Sequence, residues 1–112
     1  MAKPLFKNYF YEFDKNEAKV LITICNQTIK QMQSDPKYVG ELKFYQSMSE
    51  KISSNSTNVK LTKAELDRIT NALKANIEHL EKQIKNSWFF KRWILKPLVL
   101  NYKLLLSKHF EN

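Results

Sequence analysis

Catalysis by this chain of 112 residues would have to be built from two histidines, one cysteine and eleven carboxylates. His79 stands between Glu78 and Leu80. His109 stands in the last turn of a C-terminal helix, where the helix dipole favours a cation. No His-x-x-x-His or Glu-x-x-His spacing occurs, and one cysteine cannot complete a zinc site. The carboxylates fall singly on polar faces, mostly at helix starts. Glu78 and Glu81 lie within a helical turn of Lys74, Lys82 and Lys85, which reads as surface pairing. A single glycine excludes a Gly-rich phosphate loop. Cys25 closes the run Val-Leu-Ile-Thr-Ile-Cys and reads as a small buried hydrophobe, because an activated thiol needs exposure and cationic neighbours. The expectation is a protein without catalytic residues, cofactor, metal or small-molecule substrate.

Composition bounds what remains. The length points to one domain, and a chain of this size buries enough surface for a core without metal or disulfide. An apolar fraction of 43% and an aromatic fraction of 12% speak against a disordered tail. One glycine and three prolines speak against the turn-rich all-β folds. No signal-peptide pattern opens the chain, and no uncharged apolar run reaches the ~18 residues of a membrane span. The expected location is cytoplasmic, with a peripheral position at the inner membrane face as the extension. The net charge of +8 is uneven: residues 1–83 carry thirteen Lys/Arg against ten Asp/Glu, and residues 84–112 carry six against one. That asymmetry suits either a solubilising surface or an anionic partner.

Helical periodicity supplies the elements. Asp14 and Glu17 form a capping box that starts a helix near Lys15, with Leu21, Ile24, Cys25, Thr28, Ile29 and Met32 on one face. Val20–Ile24 is strand-prone, but the helical spacing continues through Met32. Asp35 caps a second helix from Pro36 to about Ser53, with Val39, Leu42, Tyr45, Met48 and Ile52 as its buried stripe. A flexible polar loop follows over residues 53–60. Thr62 and Glu65 form another capping box, and Leu61 and Leu66 a hydrophobic staple. Leu66, Leu73 and Leu80 recur every seventh residue, with Ile77 and Ile84 interleaved, so this third helix belongs to a bundle. Ser87 caps a fourth helix from Trp88 to Phe110, which Pro97 should kink or split near Lys96. Residues 1–13 form an aromatic N-terminal arm with Phe6, Tyr9, Phe10, Tyr11 and Phe13. It is either an extra helical turn or a cover over the bundle end. The expected fold is all-α: a single-domain antiparallel bundle of about four helices over residues 1–112, with helices 3 and 4 as a long hairpin. Its core should hold Leu21, Ile24, Leu42, Tyr45, Leu66, Leu73, Ile77, Leu80, Leu98, Tyr102 and Leu105.

The C-terminal helix carries more apolar surface than a bundle needs. Ile94, Leu95, Leu98, Val99, Tyr102, Leu105 and Leu106 form its broad core face. Phe89, Trp93, Leu100 and Leu104 form a second stripe, flanked by Lys96 and Lys103, with Arg92 nearby. Three occupants suit that stripe, in descending order: the chain's own aromatic arm, a protein partner or second copy anchored by Trp93, and an anionic membrane surface. Nucleic acid ranks lower. The pI of ≈ 9.6 suits it, but Arg68 and Arg92 are the sole arginines and no helix presents a dense base-reading face. The functional expectation is a non-catalytic interaction protein using Phe89, Arg92, Trp93, Lys96, Leu100, Lys103 and Leu104. In size, charge and expected bundle the chain is similar to small helical immunity proteins, which protect bacteria against their own peptide toxins. The similarity is compositional, rests on no diagnostic motif and transfers no residues. It implies a binding role near a membrane.

Overall fold

Two reciprocal caps set the starts of two helices. The Asp14 carboxylate accepts the Glu17 N–H at 2.8 Å while the Glu17 carboxylate accepts the Asp14 N–H at 2.9 Å. At the second cap, the Glu65 N–H donates to the Thr62 hydroxyl at 3.2 Å and the Thr62 N–H to Glu65 Oε1 at 3.0 Å. Each box satisfies backbone donors that a helix start leaves orphaned. In the computed structural model, residues 9–110 are described, Phe90 by its backbone alone. Among them run β1 (Tyr9–Tyr11), α1 (Lys15–Met32), a 3₁₀ turn (Pro36–Tyr38), α2 (Val39–Ser54), β2 (Val59–Leu61), α3 (Lys63–Lys85), α4 (Phe89–Leu105) and a π-helical turn (Leu106–Phe110). The fold class is all-α, with a sheet of two short strands. The chain divides into two compact units within α3, between Ile69 and Thr70.

In the first unit, α1 and α2 bury Leu21, Ile24 and Cys25 with Tyr45, Met48 and Ile52. Ser49 donates to Asn26 across the pair at 3.2 Å. The strand-prone run after Val20 is helical, as its longer periodicity predicts. Val39 departs from the expected stripe. The 3₁₀ turn over Pro36–Tyr38 advances the chain by a different angle per residue, so Val39 enters the α-helix out of phase and is exposed. Two side chains of α3 tie to α2. Arg68 grips Glu41 through Nε at 2.7 Å and Nη2 at 2.9 Å, and its guanidinium lies 3.8 Å from the Phe44 ring centre. Glu65 receives Lys51 Nζ at 2.6 Å.

The sheet corrects two expectations. Residues 9–11 are neither helix nor loose arm: β1 pairs antiparallel with β2, in the register Tyr9↔Leu61, Phe10↔Lys60, Tyr11↔Val59. The stretch 53–60 is not a loop throughout, since α2 continues to Ser54 and β2 begins at Val59. Val59 and Leu61 point inward and Lys60 outward, the period-2 alternation of a strand. The Phe13 N–H donates to the Ser56 carbonyl at 2.8 Å, and its buried ring stacks on Tyr11 with centroids 5.4 Å apart. Phe6 lies outside the described residues.

The second unit is a hairpin of the C-terminal part of α3 with α4. Its buried apolar side chains are Leu73 and Ile77 before the corner and Leu95, Val99, Tyr102, Leu105 and Leu106 after it. Leu80 and Ile84 are half-buried. Pro97 does not split α4, which runs unbroken from Phe89 to Leu105. A proline denies an N–H to the carbonyl four residues earlier, here that of Trp93. Trp93 and Pro97 both face solvent, where water can serve that carbonyl.

Candidate interaction surface on the C-terminal hairpin

The corner between α3 and α4 is closed by side chains that cap backward. Ser87 does not cap α4, contrary to expectation. Its hydroxyl donates to the Gln83 carbonyl at the end of α3. Arg92 Nε donates to the carbonyls of Ile84 and Ser87, each at 3.1 Å. With Lys82 and Lys85 in its last turn, α3 thus ends on cations, as its dipole favours. The start of α4 is the reverse. Trp88 occupies the cap position with no side-chain hydrogen bond, no acid lies in the first turn, and Lys91 and Arg92 occupy it. Cations at a helix start cost a few tenths of a kcal/mol or more. The composition of this end is not optimised for helix stability.

The outer face of α4 carries exposed apolar side chains. Trp88, Phe89, Trp93, Ile94, Leu100 and Leu104 are between 58% and 86% exposed, and Leu98 is 36% exposed. At about 100° per residue, Phe89, Leu100, Trp93, Leu104 and Pro97 form one continuous exposed arc, and Ile94 and Leu98 lie beyond Asn101 on either side of the buried Leu105, so that the exposed positions spread over about half the circumference. The expected second stripe is therefore present and wider than expected. Ile94 and Leu98, assigned to the core face from the sequence, belong to it. The buried face is Leu95, Val99, Tyr102, Leu105 and Leu106, because one neighbouring helix covers only one side of a cylinder. Of the described residues of the aromatic arm, Tyr9–Tyr11 pair with β2 and Phe13 is buried with its N–H on the Ser56 carbonyl, all in the first unit.

Cations border this face. Lys91 lies on one edge, and Lys96, Lys103 and Arg92 lie toward the other. Lys103 Nζ pairs with Glu81 of α3 at 2.9 Å. That pairing corrects the sequence reading, which set Glu81 against neighbours on its own helix; Glu78 does follow the in-helix pattern, with Lys82 at 3.5 Å. Between the helices runs an open groove of ≈ 500 Å³. It is lined by Ile84, Val99 and Leu100 on the apolar side and by Lys85, Lys96, Lys103 and Glu81 on the polar side. It is not legible in the sequence, since its walls come from two helices. No acidic residue occurs anywhere in α4.

Other candidate chemistry lies scattered. His79 contacts Gln83 at 3.2 Å on the exposed side of α3, and His109 lies against Phe110 in the π turn. Among the described residues, no three His, Cys, Asp or Glu are placed to hold a metal ion. Cys25 is fully buried, and burial, with a smaller contribution from the Glu65 charge, pushes its thiol up to about 12. Glu65 is buried too. Burial opposes its charge, but the Lys51 ammonium, the Thr62 N–H and the Ser47 hydroxyl hold its carboxyl below the usual range. Both arginines are engaged within the chain, Arg68 with Glu41 and Arg92 with the carbonyls of the corner. No helix of the described residues is long and apolar enough to cross a membrane. The chain matches no protein-family model, no curated protein and no solved structure.

Proposed function

We propose that this protein is a non-catalytic interaction protein whose docking element is the outer face of α4. One observation carries the reading: aromatic and aliphatic side chains across about half of that helix are exposed, at a substantial hydration cost of roughly 25 cal/mol per Å². Single exposed apolar residues need no explanation, but a contiguous patch bordered by cations marks a contact surface. The anchors are Phe89, Trp93, Leu100 and Leu104, with Trp88 and Ile94 added to the set named from the sequence. Lys91 and Lys96 are rim cations without an ion pair among the described residues. Arg92 and Lys103 serve first to build the hairpin.

The double variant Trp93→Ala/Leu104→Ala tests the reading through stability. These side chains are 73% and 58% exposed, so their truncation should cost about 1–2 kcal/mol together. Leu73→Ala, at a fully buried position of α3, should cost about 2–5 kcal/mol by itself. A loss in the double variant equal to or above that of Leu73→Ala would show the stripe to be core, and the proposal would fail.

A further inference from the structure

Resting on that reading, we propose that the occupant of the α4 face is the headgroup boundary of an anionic bilayer, with the α3–α4 groove receiving a lipid phosphate. The exposed apolar positions spread over about half the helix, interrupted at Asn101 and at the buried Leu105, whereas a single partner helix covers a seam nearer 100°. A bilayer boundary has no such limit and takes up a helix lying in its plane. The helix is 17 residues long, about 25 Å, and all of that length can lie flat. Trp88, Phe89 and Trp93 gather at one end, and indole rings favour the headgroup level.

Charge selects the lipid and disfavours a second copy. With no carboxylate on α4, two copies meeting through this face would oppose their lysine borders. The one carboxylate lining the groove, Glu81, already holds Lys103. Lys85 and Lys96 line the same groove with no ion pair among the described residues. Their ammonium groups stand beside the apolar floor of Ile84, Val99 and Leu100. An anionic headgroup matches this arrangement: its phosphate meets the lysines and its acyl region continues onto Leu100 and the outer face. Lysine stems lie along apolar surface while their charges reach the phosphate.

Vesicle flotation tests this with the full chain, comparing phosphatidylcholine alone with phosphatidylcholine containing about a third phosphatidylglycerol. The expected result at low salt is binding to the anionic vesicles only, with a blue shift of tryptophan emission. Each lysine near an anionic surface strengthens binding about fivefold, so Lys85→Gln/Lys96→Gln should weaken it roughly 25-fold while far-UV circular dichroism stays unchanged. Trp93→Ala/Leu104→Ala should abolish flotation. Free inorganic phosphate at millimolar levels should leave flotation intact; complete competition would assign the groove to soluble phosphate instead. Failure to float, or equal flotation with neutral vesicles, overturns the proposal. Should the protein not float but self-associate through contacts that Trp93→Ala/Leu104→Ala removes, the bilayer is wrong and the docking face stands. A double variant that unfolds defeats the docking face itself.

Discussion

Replacing Glu65 by alanine should cost the first unit about 2–3 kcal/mol, more than any exposed ion pair is worth. Glu65 is 3% exposed, and its carboxylate accepts from Lys51 Nζ at 2.6 Å and from the Thr62 N–H at 3.0 Å. A hydrogen bond involving a charged group contributes about 1.5–3 kcal/mol, and a helix cap about 0.5–2. The total is held down by two features. Lys51 is 36% exposed, so its ammonium regains water when Glu65 is gone. The other half of the capping box survives, because the Thr62 hydroxyl accepts from the backbone N–H of residue 65. Urea unfolding followed by far-UV circular dichroism at neutral pH measures the difference. Its pH dependence supplies a second check. The folded carboxyl is held below its unfolded value of about 4.3, so its contribution is fully present above that pH and is lost as pH falls through the lower folded value. Wild type and Glu65→Ala should therefore converge at strongly acid pH. A difference below 1 kcal/mol at neutral pH, or one that persists unchanged into acid, would refute this account of how α3 is anchored.

Two further outcomes follow from the same packing. Pro97→Ala should raise resistance to urea, by up to about 3 kcal/mol, because it returns an N–H to the Trp93 carbonyl in an exposed helix interior; a loss of stability would mean the proline relieves a constraint elsewhere in the hairpin. Cys25 should resist alkylation in the native protein at pH 8 and react fully in denaturant, since its thiol is buried and pushed up to about 12. Rapid labelling of the native protein would contradict that burial.

The helices were legible because their signals are local. Asp14 with Glu17, and Thr62 with Glu65, carry their cap chemistry within one turn, and both boxes close as the residues predict. Asp35 and Pro36 likewise mark a start, although the first turn is 3₁₀ and its different winding turns Val39 outward. The strands were not legible. Tyr9–Tyr11 and Val59–Leu61 are three residues each, too short for a period-2 pattern to stand out, and each is extended only because the other pairs with it. Ser87 illustrates a competition that residue type does not decide: a serine at a corner can cap the helix ahead or the one behind, and here its hydroxyl turns back to Gln83.

For the candidate surface, the order of residues already implies that α4 carries more apolar residues than one buried face can use, that lysines border them, and that no carboxylate interrupts them. These are properties of a helical wheel, and a wheel follows from 3.6-residue periodicity alone. Which side of that wheel is buried follows from packing against α3. The hairpin corner, held by Arg92 on the carbonyls of Ile84 and Ser87, sets the rotation of α4 against α3, placing Leu95, Val99 and Tyr102 inward and leaving Ile94 and Leu98 outward with Trp93 and Leu100. The groove of Lys85, Lys96 and Lys103 arises the same way, because its walls belong to two helices that only folding brings together.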